Sequence, residues 1–301
     1  MGNKSVIVMR TKIPSEQMKP WKTHHPKENH YDFLVTGDAE VRSPDGQIAL
    51  MVLRNALSEE CVAKAEPVMH WMRRFTSDNR GQYAGARTGT MRLADGRKSK
   101  STRALDADGK RVDVASTIAG YYERQGGRHP FCRQTAFLRN YPDKWQELIP
   151  MIREAAQVYK KEAPLRFKRQ MDVAKKSHPA WLIADTPFST VTINNTVPAA
   201  YHVDGGDLKD GLGVLLAMEK GKFDGFELVV PEYRVAVRLQ ARDVLLFDPT
   251  IWHGNIPPYN TTGVAGEDWY RISVVLYYRA GIVGCGSPEE ELERAKNRGA
   301  L

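Results

Sequence analysis

Three residues in the C-terminal half of the chain have the types and spacing to hold one metal ion. His202 and Asp204 form a His-x-Asp pair, and His253 lies in Trp-His-Gly-Asn at 252–255. Side chains at i and i+2 of a strand point to the same face, so His202 and Asp204 can ligate together while a later strand brings His253 across. Two imidazoles and one carboxylate on one face of an iron leave positions open for a cosubstrate and oxygen. Each histidine taken singly is more often a packed, satisfied side chain. Eighteen residues after His253 stands Arg271, in a run where Arg271, Ser273, Val275 and Tyr277 face one way and Ile272, Val274, Leu276 and Tyr278 the other. A guanidinium aimed into a barrel needs an anion. Arg271 can bind a carboxylate bidentately with Ser273 adding a hydroxyl, which suits the distal carboxylate of 2-oxoglutarate; the alternative is an interior ion pair with some acid.

The elements that must position these groups are legible in outline. Ser58 can cap a helix whose apolar positions Val62, Ala65, Val68, Met69, Met72 and Phe75 recur at helical spacing, with a kink expected at Pro67 and Trp71 and Met72 in the core. A second helical block starts near Asp143 with the stripe Trp145, Leu148, Ile149, Ile152, Ala156 and Tyr159, and continues past Pro164 to Lys176. From Thr186 onward, short β-branched runs alternate with Gly, Pro and Asp turns. The expectation is an α+β fold, an N-terminal helical layer on an antiparallel jelly-roll sandwich. Residues 1–50 read as an extended arm with nothing catalytic, and 51–301 as a single domain: a helical and basic-loop part (51–180), a β core (181–282) and a C-terminal tail (283–301).

The chain has 301 residues, with 44 Lys and Arg against 36 Asp and Glu, a net charge of +8. Composition is ordinary for a globular protein and excludes collagen-like, coiled-coil and disordered classes. No apolar run approaches membrane-spanning length, so no membrane association is expected. Cys61, Cys132 and Cys285 are odd in number and lack CxxC spacing, which argues against a disulfide framework or zinc site and for an intracellular, cytoplasmic location. Between Arg80 and Arg103 the basic residues Arg80, Arg87, Arg92, Arg97, Lys98, Lys100 and Arg103 meet one acid, Asp95, in a Gly/Ser/Thr-rich stretch that reads as a mobile basic loop. Such charge fits an anionic partner such as nucleic acid, although a solvated surface also tolerates it.

Together these motifs resemble the TET/JBP family of nucleobase dioxygenases. The resemblance is carried by residues 190–195, by Tyr-His-Val-Asp-Gly-Gly-Asp at 201–207, by 225–237, by 252–255 and by Arg-Ile-Ser-Val-Val at 271–275, with Cys-Arg-Gln-Thr-Ala-Phe at 132–137 ahead of the helical block. It covers about half the chain. It implies a double-stranded β-helix (a jelly-roll, cupin-like core) that uses Fe(II), 2-oxoglutarate and O2 to oxidise the 5-methyl group of a pyrimidine in DNA. The metal then falls to His202, Asp204 and His253, and the cosubstrate to Arg271 and Ser273, with Asn194 a further candidate. Three scattered cysteines cannot build the cysteine-rich zinc region of animal members, nor do these residues leave room for the extra DNA-binding domain of kinetoplastid ones. The compact form is similar to microbial and phage members, acting on bacterial or phage DNA, with no protein partner evident. Grip on DNA is expected from the basic loop and from Lys160, Lys161, Arg166, Lys168 and Arg169.

Asp207 occupies the position that in the family lies beside the target base. An ionised carboxylate only accepts hydrogen bonds, so it suits the cytosine amine over thymine O4, and 5-methylcytosine is the expected substrate. Asn195 and Arg133 are further candidates for the base, and Asp207 could instead cap the turn after Gly205-Gly206. Thymine hydroxylation, hydroxylation of a protein side chain or small molecule, and a non-enzymatic jelly-roll binding module remain as alternatives.

Overall fold

In the computed structural model, residues 4–77, 80–92, 96–126 and 129–297 are described, and the side chains at 91, 92 and 98–102 lie outside that description. The chain opens with strands β1 (Ser5–Val8), β2 (Phe33–Val35), β3 (Ala39–Arg42) and β4 (Ile48–Leu53), followed by helix α1 (Glu59–Trp71). Strands β5 (Arg87–Arg92), β6 (Lys98–Leu105), β7 (Ser116–Tyr122) and β8 (Arg133–Gln134) lead to helices α2 (Ala136–Asn140), α3 (Pro142–Glu162) and α4 (Pro164–Ala174). Then come β9 (Thr190–Asn195), β10 (Gly213–Lys220), β11 (Leu228–Val230), β12 (Val235–Val237), β13 (Val244–Phe247), β14 (Gly254–Asn255), β15 (Tyr270–Tyr277) and helix α5 (Pro288–Asn297).

Two sheets face each other. The larger runs β1-β3-β4-β13-β10-β15-β9-β7-β8, and the smaller β14-β11-β12-β2. Period-two alternation divides the larger sheet into two chemically distinct faces. Val191, Ile193, Val214, Leu216, Val244, Leu246, Ile272, Val274 and Leu276 point to one side, where they join Val62, Met69, Leu148, Ile152 and Tyr159 of α1 and α3 in one buried cluster. Each such side chain contributes about 1.5–3 kcal/mol on burial. On the other side Leu50, Leu215, Leu245 and Phe247 pack against Leu228, Val230, Val235 and Val237 of the smaller sheet. This is the jelly-roll sandwich with a helical layer on one face. Ser58 caps α1, accepting from the Cys61 amide, and α1 continues through Pro67 without a break.

Four expectations need correction. The arm at 1–50 is largely built into the sheets: β1 pairs with β3, β2 with β12, and β4 spans residues on both sides of the expected boundary at 50. Its Trp21 and His30 rings stack at 4.4 Å beside Tyr201, next to the expected ligand His202. Most of the basic stretch is not a loop but the paired strands β5 and β6, with Arg87 opposite Leu105 and Thr88 opposite Ala104; Arg80 lies ahead of them, and the side chains of Arg92, Lys98 and Lys100 lie outside the description. Cys132 and Cys285 form a disulfide across 153 residues, leaving Cys61 as the buried free thiol. A pairing at that separation leaves no spacing signature, and it removes the argument for a reducing compartment. Finally, His202 and Asp204 lie in a short extended segment rather than a regular strand.

Candidate active site

That segment follows Pro198 and is held from three sides. Ala200 N donates to Tyr83 O at 2.8 Å, Tyr201 N to His24 O at 2.8 Å, and His202 and His253 exchange two backbone bonds at 3.0 Å. This single bridge sets the two histidines side by side, ring centroids 4.3 Å apart. Each Nδ1 meets a carbonyl two residues back, Ala200 O at 2.8 Å and Ile251 O at 3.0 Å. A carbonyl can only accept, so Nδ1 carries the proton and Nε2 presents its lone pair to the site.

Asp204 completes the group. Its Oδ1 lies 3.4 Å from His202 Nε2 and its Oδ2 3.7 Å from His253 Nε2. Among the described residues these three are the group whose donor atoms all fall within 4.8 Å of one another. Metal–ligand bonds of roughly 2 Å place neighbouring donors about 3 Å apart, so the spacing fits one ion. His202 Nε2 is buried without a hydrogen-bond partner, which fits a metal ligand. Burial and the adjacent His202 push the His253 imidazole down to about 4, so it is neutral at pH 7. Burial opposes ionisation of Asp204, but the histidines and Arg80 outweigh it and hold the carboxyl below its usual range.

Behind the triad the sheet turns polar. Ser273 lies opposite Asn194, and Asn194 opposite Ser116, so all three share the sandwich-side face with Arg271. Asn194 Nδ2 donates to Ser273 Oγ at 3.2 Å and its Oδ1 accepts from Ser116 at 2.6 Å. Arg271 is 2% exposed, its guanidinium 5.2 Å over the Phe226 ring and its Nε without a partner. Glu219 sits across from it in register, yet no described carboxylate is within ion-pair distance of its side chain. Burial lowers it to about 10, so it remains a cation at neutral pH. An unpaired buried guanidinium is costly, and a carboxylate ligand removes that cost.

A cavity of about 150 Å3 opens over two of the triad, His202 and Asp204, and is also lined by Arg80, Tyr83, Asp207, Tyr277 and Arg279 among others. Gly206, at φ +92°, turns the chain back so that Asp207 bridges Arg279 in the sheet sense. Burial, then the Asp204 charge, raises the Asp207 carboxyl well above its usual range, with Arg279 opposing. Arg279 is itself held by both oxygens of Glu123.

Of the base-contact candidates, only Asp207 lines this cavity. Asn195 pairs with Ile272 and so faces the helical side, opposite to Asn194, with both amide atoms unpartnered. Arg133 stacks 4.8 Å over Tyr122 and donates to Gln125 Oε1 at 2.9 Å, in a neighbouring cavity. Arg166 and Lys168 are matched to Asp248 at 3.6 Å and Asp172 at 2.6 Å on the helical layer. Sequence reasoning missed Tyr83 and gave Arg80 only a loop role. Tyr83 packs edge-on to His202 at 4.4 Å, carries Arg80 4.3 Å over its ring, and is pushed up to about 12 by burial, staying a neutral hydroxyl. Neither stands in a periodic segment, and the backbone bond to Ala200 that places Tyr83 has no sequence signal.

A jelly-roll core with a His-Asp-His group and a buried arginine on one sheet face defines an iron(II) and 2-oxoglutarate oxygenase. Residues 117–280, more than half the chain, match the family model Tet_JBP, the oxygenase domain of the 2OGFeDO superfamily, and the chain belongs to that family. It is 36% identical over 196 residues to thymine dioxygenase JBP1-B of Trypanosoma cruzi, covering 62% of this chain and 22% of that protein. Thymine dioxygenase JBP1 of Trypanosoma brucei brucei is 30% identical over 279 residues, 90% of this chain and 29% of that one. The chain therefore spans less than a third of the length of these relatives. The solved structure of NgTET1 in complex with 5mC DNA is similar in fold, with a TM-score of 0.57 and 15% identity over 98% of this chain and 91% of that one. The family's cofactors are iron(II), 2-oxoglutarate and O2, and the unpartnered His202 Nε2 and Arg271 Nε fit the first two.

Proposed function

We propose that this protein hydroxylates the 5-methyl group of a pyrimidine in DNA, with thymine the preferred base. The observation that carries the oxygenase chemistry is the buried, unpaired Arg271, whose charge, like that of Asp204, bears on Tyr83, the ring packed edge-on to His202. When bound, iron(II) and 2-oxoglutarate supply the oxidation of a C–H bond by O2, the cosubstrate leaving as succinate and CO2. Arg271 and Ser273 hold the distal carboxylate, and Asn194, locked by Ser116, fixes Ser273. A target base has to leave the stack to reach His202 and Asp204, which line the small cavity.

DNA as substrate is supported by the relatives named thymine dioxygenases. Asp207 supports the base. The expectation of 5-methylcytosine assumed an ionised carboxylate; burial and the Asp204 charge raise the Asp207 carboxyl, and Arg279 opposes them. A protonated carboxyl donates as well as accepts, so it can bond thymine O4. The test is DNA-stimulated succinate formation with otherwise identical oligonucleotides carrying thymine, 5-methylcytosine or deoxyuridine at one position. Thymine should stimulate most and deoxyuridine, lacking the methyl, not at all. Preferential stimulation by 5-methylcytosine overturns the base assignment, and stimulation by none overturns DNA as substrate.

A further inference from the structure

A second cavity, about 350 Å3, lies between strand β7 and helix α2 and has no part in the proposed chemistry. We propose that it is a second nucleobase site, filled by the nucleotide next to the target when DNA is bound, a placement that rests on the iron site acting on DNA. Its wall is aromatic: Phe75, Phe137 and Tyr141 line it, with Phe75 and Tyr141 5.2 Å apart between centroids. The polar lining includes Thr117 and Asn140. Thr117 is only 9% exposed and its Oγ1 has no hydrogen-bond partner. A wholly apolar cavity suits a hydrocarbon; a π wall with hydroxyl and amide groups suits a flat ring with a polar edge, which is a base.

Continuity with the iron site selects a neighbour of the target over a free nucleotide. Arg80 lines both cavities, its Nε buried and unpartnered. Stacked on Tyr83, it stands where the phosphate joining two splayed nucleotides passes, and an arginine there meets that charge directly. Placing two bases in two cavities requires both to leave the stack, so single-stranded or locally opened DNA is the better substrate.

The experiment uses single strands with one target thymine and an abasic nucleotide immediately 5′ or 3′ of it, read as kcat/KM for the hydroxymethyl product. One flank, and only one, should lower kcat/KM about 10-fold when abasic. Thr117→Val, close to isosteric, should narrow discrimination among the four bases at that flank. Ala136→Trp, filling the cavity from an exposed lining position on α2, should bring the intact strand down to the abasic value while iron binding and 2-oxoglutarate affinity stay unchanged. Oxidation that ignores both abasic flanks and both variants overturns the second site and leaves the DNA assignment standing. Absence of oxidation on every strand overturns both.

Discussion

His202, Asp204 and His253 each supply one donor atom to a single group, and His253 also packs edge-on to Phe247 at 5.1 Å, a contact at the margin of one apolar cluster. Each single alanine variant should therefore lose iron(II) binding and turnover but keep its far-UV circular dichroism and unfold cooperatively; iron bound at full stoichiometry by any of them contradicts the assignment. Arg271→Gln should keep iron yet weaken 2-oxoglutarate by about 2–4 kcal/mol, measured by titration calorimetry, because it breaks a desolvated charge pair. Asp207 separates the two bases. Asp207→Asn, still a donor, should retain most thymine turnover, whereas Asp207→Ala should lose about 10-fold in kcat/KM. Equal values for the two would make Asp207 a turn residue. At this scale the sequence was most informative, since ligand chemistry and period-two facing are local properties. It assigned Asn194 to the cosubstrate and Asn195 to the base, but a strand sends these neighbours to opposite faces, and the register with β15 turns Asn195 to the helical side.

Helix α5 illustrates an element whose role depends on one buried acid. Glu291 accepts from the Cys132 amide at 2.8 Å and the Gly286 amide at 2.8 Å, and is ion-paired with Arg124. Burial pushes its carboxyl up, but Arg124 and the two amides outweigh that and hold it below the ordinary glutamate range. A lowered folded pKa means the stabilisation is complete above the unfolded value, near 4.3, and is lost as pH falls through the folded one. Glu291→Gln should thus lower Tm at pH 7, and the gap from the unmutated protein should close below about pH 4. A gap independent of pH would contradict the ion pair's role. Helices α1 and α3 were legible because an apolar stripe repeats on one face. Strands β5 and β6 were not, because runs dominated by Arg, Lys, Ser and Thr leave no hydrophobic period, and among their described side chains only Ala104 and Leu105 at the end of β6 are buried.

Across the whole molecule, the Cys132–Cys285 bond ties the segment ahead of α2 to the segment ahead of α5, over a loop of 153 residues. Such a link constrains the unfolded chain and is worth about 2–4 kcal/mol, so reductant should lower Tm by roughly 3–6 °C. An unchanged Tm would mean that the pair is not oxidised in solution. This long-range closure, like the insertion of the N-terminal strands β1 to β4 into both sheets, joins residues too far apart for any local pattern to announce. The central claim is tested most directly by oxygen labelling. The iron-loaded protein is given 2-oxoglutarate, thymine-containing DNA and 18O2, and the digested nucleosides are weighed. The expected product is 5-hydroxymethyl-2′-deoxyuridine carrying one 18O, absent without 2-oxoglutarate and absent with His253→Ala. Unmodified thymidine in the complete reaction, or product formed equally without 2-oxoglutarate, would contradict it.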